Sequence, residues 1–66
     1  MLIRINGHDQ DIPPGTTVAQ LLERLDAHPK KVAVEVNRDL VTRNEFGDTV
    51  LRDGDNVEVV TFVGGG

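Results

Sequence analysis

Only one stretch of this chain repeats its apolar residues at the helical period, and that decides most of what the remainder can do. Val18, Leu21, Leu22 and Leu25 stand at i, i+3, i+4 and i+7, a single stripe, with Gln20, Glu23, Arg24 and Asp26 on the wet face. Thr17-Val18-Ala19-Gln20 fits a capping box, in which the Thr17 hydroxyl serves the third amide and the Gln20 side chain reaches back, so the helix is expected to begin at Val18. Pro29 is expected to stop it at about His28. A lone amphipathic helix has no second helix to cover its stripe. It must lie on a sheet.

The rest of the chain supplies one. Met1, Ile3 and Ile5 alternate with Leu2 and Arg4, the period of a strand with one buried face. Asn6-Gly7 accepts the positive φ values of a two-residue type I′ turn, so His8 to Ile12 should return antiparallel, and Pro13-Pro14-Gly15 ends that strand. Val32, Val34 and Val36 alternate with Ala33, Glu35 and Asn37 in a further strand, and Asn37-Arg38-Asp39 reads as a turn. Leu40 to Phe46 has no clear period. Leu40, Val41 and Phe46 are expected in the core there, within a polar segment able to hold a short helical turn. Thr49-Val50-Leu51 is a short strand candidate, Asp53-Gly54-Asp55 a tight turn, and Asn56 to Val63 the last and longest strand. The expected class is α+β, a mixed sheet of four to five strands packed on one helix.

Sixty-six residues make a single small domain that buries about 60% of the surface its unfolded chain exposes, leaving little room for a deep cavity. There is no cysteine to form a disulfide, and His8 and His28 are far apart in sequence, so no metal site is expected. Asp9, Asp11, Asp53 and Asp55 form no calcium-loop ladder, and with no serine in the chain a Ser-His-Asp nucleophile cannot be assembled. An independent enzyme is not expected. Seven Lys and Arg against eleven Asp and Glu give a formal charge of −4, the opposite of a phosphate-binding footprint, so no nucleic-acid partner is expected. That acidity suits a basic protein partner, or only keeps the domain dispersed. MLIRING carries no apolar run of the signal-peptide or membrane-span kind, which makes the cytoplasm the expected compartment.

The order strand, strand, helix, strand, short strand, strand resembles the ubiquitin-like β-grasp fold over the whole chain. The resemblance implies that the first and last strands run parallel at the sheet centre, setting Met1, Ile3, Ile5, Val57 and Val59 against Leu21, Leu22 and Leu25. The other face of the last strand then carries Glu58, Val60 and Phe62. Val60 and Phe62 would form an exposed apolar partner-binding patch beside the tail, unless Phe62 folds over the sheet edge. The sequence closes on Gly64-Gly65-Gly66. By itself a glycine run fits a frayed end as well as a reactive one. Directly after the last strand of a β-grasp pattern it resembles the tail of bacterial sulfur carriers, and the chain is most similar to the ThiS family of thiamin biosynthesis. Length, Asn6-Gly7, Thr17-Val18 with Leu21-Leu22, Val36-Asn37, Asp53-Gly54-Asp55 and Gly65-Gly66 carry that similarity.

The resemblance divides the chain into a β-grasp domain, 1–63, and a glycine tail, 64–66. It implies that the Gly66 carboxylate is adenylated by a ThiF-like activating enzyme using ATP and converted to a thiocarboxylate. Gly64 and Gly65 thread that carboxylate into the partner. The sulfur would come from a cysteine desulfurase or other persulfide donor and go to a ThiG-like thiazole synthase, while the chain itself binds no cofactor. Two alternatives share the tail: the small subunit of molybdopterin synthase, which usually runs longer, and a ubiquitin-like protein modifier. A passive binding module would use the sheet face alone.

Overall fold

The computed structural model describes residues 1–62. Leu2–Ile5 (β1) and His8–Asp11 (β2) form the expected hairpin, with Asn6 at φ 49° and Gly7 at φ 83°, both left-handed as a type I′ turn demands. Val18–Arg24 (α1) follows, then Val32–Val36 (β3), Asp39–Val41 (β4) and Asn56–Thr61 (β5). The strands make one sheet in the order β2-β1-β5-β3-β4. β1 and β5 are parallel neighbours, Arg4 opposite Asn56 and Ile5 opposite Val57, while every other pair is antiparallel. This is the mixed sheet and single helix of the β-grasp. Among the described residues no helix is long and apolar enough to cross a membrane.

The core lies between α1 and one face of the sheet. Ile3 and Ile5 of β1, Val57 of β5 and Val34 of β3 meet Val18, Leu21 and Leu22, each at most 3% exposed. Met1, Leu25 and Val59, expected in the same layer, pack against it half-buried. The capping box forms as expected: the Gln20 amide donates to Thr17 Oγ1 at 3.2 Å and the Thr17 amide to Gln20 Oε1 at 2.9 Å. The remaining first-turn amides find distant partners, Val18 donating to the Thr49 carbonyl and Ala19 to that of Phe46, both at 2.9 Å. The helix N-terminus is thereby tied to the segment before β5.

Several expectations need correction. α1 ends at Arg24, with Leu25 as its C-cap, rather than near His28. Asp26 turns left-handed at φ 59°, its amide donates to the Glu23 carbonyl, and the Ala27 amide reaches the Leu22 carbonyl. That is a Schellman stop, reached before Pro29 acts. Pro29 instead opens a 3-10 turn, Pro29–Lys31, capped by His28. The fourth strand is Asp39–Val41, so the turn before it is only Asn37-Arg38, at φ 53° and 72°, and Asp39 already pairs with Val36. Thr49-Val50-Leu51 contributes no strand, only an isolated bridge from Val50 to Thr17. Val41 and Phe46 are buried as expected, but Leu40 is 66% exposed. The pleat explains it: with Val41 inward, its neighbour must face out. The helical turn foreseen in this region is Arg43–Glu45.

Candidate functional site

β5 is the strand from which the glycine segment continues, and it is held on both flanks. On one side the Arg4 and Asn6 amides donate to the Asp55 and Val57 carbonyls at 2.9 Å. Where β1 ends, the Asn6 side chain extends it by one step: Oδ1 accepts from the Val59 amide at 2.8 Å and Nδ2 donates to the Val59 carbonyl at 3.2 Å. On the other side β3 pairs with β5 from Val36 opposite Val57 to Val32 opposite Thr61. Asn37, in its left-handed turn, accepts from the Asn56 amide at 3.0 Å and donates to Asp55 at 2.9 Å. The last contact of the strand is the Phe62 amide donating to the Lys31 carbonyl at 2.8 Å. Two asparagines that end the neighbouring strands thus secure β5 along its course.

The side chains of β5 alternate across the sheet. Val57 is wholly buried and Val59 half-buried, whereas Glu58, Val60 and Phe62 face outward. Val60 and Phe62 are 57% and 54% exposed, so of the two positions open to Phe62 the structure adopts the exposed one. Register places Ala33 beside Val60, and Glu35 between Glu58 and Leu40. The apolar surface is therefore wider than the alternation of one strand reveals. Leu40 belongs to it, a residue for which sequence reasoning had only the core; the strand period of Asp39–Val41 was the missing signal. Glu35 and Glu58 lie directly opposite each other, an unfavourable like-charge pairing in the free protein.

Gly64, Gly65 and Gly66, the predicted threading and reacting residues, lie outside the described residues. Among those described, no group of His, Asp and Glu could hold a metal ion, and the hydrogen-bonding needs of buried side chains are met. One carboxylate is perturbed. Glu45 accepts from the hydroxyl of Thr42 at 2.8 Å and from its amide at 3.1 Å, and these bonds, the hydroxyl first, lower its pKa from the ordinary value. Its bonds to Thr42 close the capping box of the Arg43–Glu45 turn.

Known proteins share this sequence pattern and fold. The model of the ThiS family matches residues 3–66. A thiazole synthase of Magnetococcus marinus is 46% identical over 66 residues, which is all of this chain and 20% of that protein. The chain thus spans about a fifth of the length of the thiazole synthases it matches. The sulfur carrier protein ThiS of Escherichia coli is 30% identical over 66 residues, all of both chains. The crystal structure of the thiamine biosynthesis protein ThiS from Geobacter metallireducens superposes with a TM-score of 0.85 at 35% identity, covering both chains completely. A family match across nearly the whole length, full-length relatives and a superposable fold agree: this chain belongs to the ThiS family.

Proposed function

We propose that the chain is a sulfur carrier of thiamin biosynthesis, with Gly66 as the group that carries the sulfur. The observation that supports this most is that the glycine segment follows two residues after β5 in sequence, the strand paired on both sides, with Val60 and Phe62 on the outer face. A rigid body with an apolar face can dock while the glycines reach onward. Three extended residues span roughly 10 Å, enough to enter a recessed nucleotide site. Without Cβ atoms they fit a narrow channel.

The chemistry balances with few parts. The Gly66 carboxylate, ionised at neutral pH, attacks the α-phosphorus of ATP in the activating enzyme; an O–P bond forms, pyrophosphate leaves, and an acyl adenylate results. The terminal sulfur of a persulfide then attacks the acyl carbon and AMP departs. A thiol reductant supplies two electrons to cleave the S–S bond, leaving a thiocarboxylate. Cysteine is absent from the chain, so the sulfur comes from outside. Thiazole synthase receives it, a pairing supported by the thiazole synthases that match this chain over its whole length. Within this reading the chain is a co-substrate rather than an enzyme, it binds no cofactor of its own, and it works in the cytoplasm.

Incubation with the activating enzyme, ATP and a persulfide donor tests the assignment. Intact mass is expected to rise by the difference between one sulfur and one oxygen, with fragmentation placing the change on Gly66. A gain on another residue, or none, rejects it.

A further inference from the structure

At the end of the sheet from which β5 leaves, the outer face changes in charge. The apolar residues Phe62, Ala33, Leu40 and Pro29 and the two cations Lys30 and Arg43 line a depression of about 340 Å³ there. Both cations are exposed. Among the described residues neither makes an ion pair; the pairs present are Met1 with Asp11 and Arg4 with Asp9. Glu45, the carboxylate nearest Arg43 in sequence, is turned back onto Thr42. No acidic side chain lines the depression. In a chain of formal charge −4, two cations and no carboxylate on an apolar depression are a local reversal of sign.

The position of these residues is fixed by the fold rather than by a loop's choice. Lys30 sits in the 3-10 turn whose next residue, Lys31, accepts the Phe62 amide; Arg43 opens the turn anchored by the Thr42–Glu45 bonds. Both are therefore held against the exit of β5. Exposed charges far from one another contribute little, but two like charges beside an apolar hollow favour an anionic occupant there, more so once water is displaced.

We propose that this depression is the socket for an acidic segment of the activating enzyme, one apolar side chain filling the hollow over Phe62 and Leu40 with adjacent carboxylates meeting Lys30 and Arg43. The proposal rests on the carrier function above and deepens it. The outer face around Val60 supplies adhesion; the socket supplies direction, since its charge is opposite to that of the Glu35 and Glu58 pair. A partner matched to both can seat in only one orientation. That orientation aims the glycine segment at the nucleotide.

The test measures binding of the full chain to the activating enzyme by calorimetry at low and high salt. Lys30→Glu and Arg43→Glu should each weaken binding several-fold at low salt, the double variant by more than tenfold, and the deficit should shrink at high salt. Arg24→Glu, an exposed reversal on α1, should leave binding as it was. Melting temperatures of all variants should match the wild type. Equal binding by the double variant, or an equal loss with Arg24→Glu, overturns the socket while leaving the carrier function standing. Dimerisation of the wild type that the double variant abolishes also overturns it, by making a second copy the occupant. A wild-type chain that the enzyme neither binds nor adenylates rejects the carrier function and the socket together.

Discussion

Phe62 joins the fold through its backbone and leaves its ring free. Its amide is bonded to Lys31 while more than half of the side chain is open to solvent. Truncation should therefore separate folding from binding. Phe62→Ala is expected to change stability by no more than about 0.5 kcal/mol, as for exposed positions generally, and to weaken binding to the activating enzyme by more than about tenfold if the ring is an anchor. Thermal melting and calorimetry on the same samples decide it: a steep fall in melting temperature would mean that the ring is core. The same logic applies to Leu40, whose exposure places it with Phe62 rather than with Val41.

At the scale of the element, α1 is a short helix closed tightly at both ends. Seven residues are too few to be stable alone, so its persistence comes from Val18, Leu21 and Leu22 in the core and from satisfied termini. Its weak point is Asp26. That residue holds a left-handed conformation at φ 59°, which costs a side chain more than glycine, and puts a negative charge next to the negative end of the helix. Asp26→Gly relieves both, at the cost of a more flexible unfolded chain, and should stabilise by about 0.5–1 kcal/mol. Asp26→Asn relieves the charge alone and should gain only a few tenths. Urea denaturation of the three proteins reads the difference, and a loss of stability in Asp26→Gly would show that the aspartate side chain itself holds the turn. The hairpin between β3 and β4 shows the same economy of glycine: Asn37 and Arg38 both adopt left-handed φ, and Asn37 is repaid by its bonds to Asp55 and Asn56.

For the whole molecule, the proposed carrier function gives docking and chemistry to different parts, and that division can be tested. Deleting Gly66 leaves a carboxylate on Gly65 that is chemically the same but about 3.5 Å short of the nucleotide. Reacting atoms must approach to roughly 3–3.5 Å, so adenylation should fall by orders of magnitude while binding of the folded body persists. Gly65→Ala adds a Cβ and restricts φ, and should slow adenylation far more than it weakens binding. Pyrophosphate exchange with parallel binding measurements separates the two, and a shortened chain adenylated at the normal rate would sink the threading account. What was legible beforehand follows the same division between local and distant causes. The Asn6-Gly7 turn, the Thr17 capping box and the outward stance of Val60 follow from neighbours in sequence and were readable, whereas alternation left Phe62 open between the outer face and the sheet edge. The early end of α1 depended on Asp26 accepting a left-handed turn that glycine usually marks. The 40–51 region was obscure because its order comes from afar: the Thr49 and Phe46 carbonyls take the first amides of α1, and the Leu51 amide donates to Thr16. Lys30 and Arg43 had no signal at all, being thirteen residues apart and joined only by the sheet end.

The central station of β5 also bears on how the fold would answer a pull on the glycine segment, as the proposed threading into an activating enzyme requires. A strand at the rim of a sheet peels away one hydrogen bond after another, each yielding in turn under a small load. β5 is flanked by parallel β1 and antiparallel β3, with the asparagine side chains adding further fastenings. Tension along its axis is shared in shear by all of these bonds at once. The domain can therefore be hauled by its end, and let go, without unravelling.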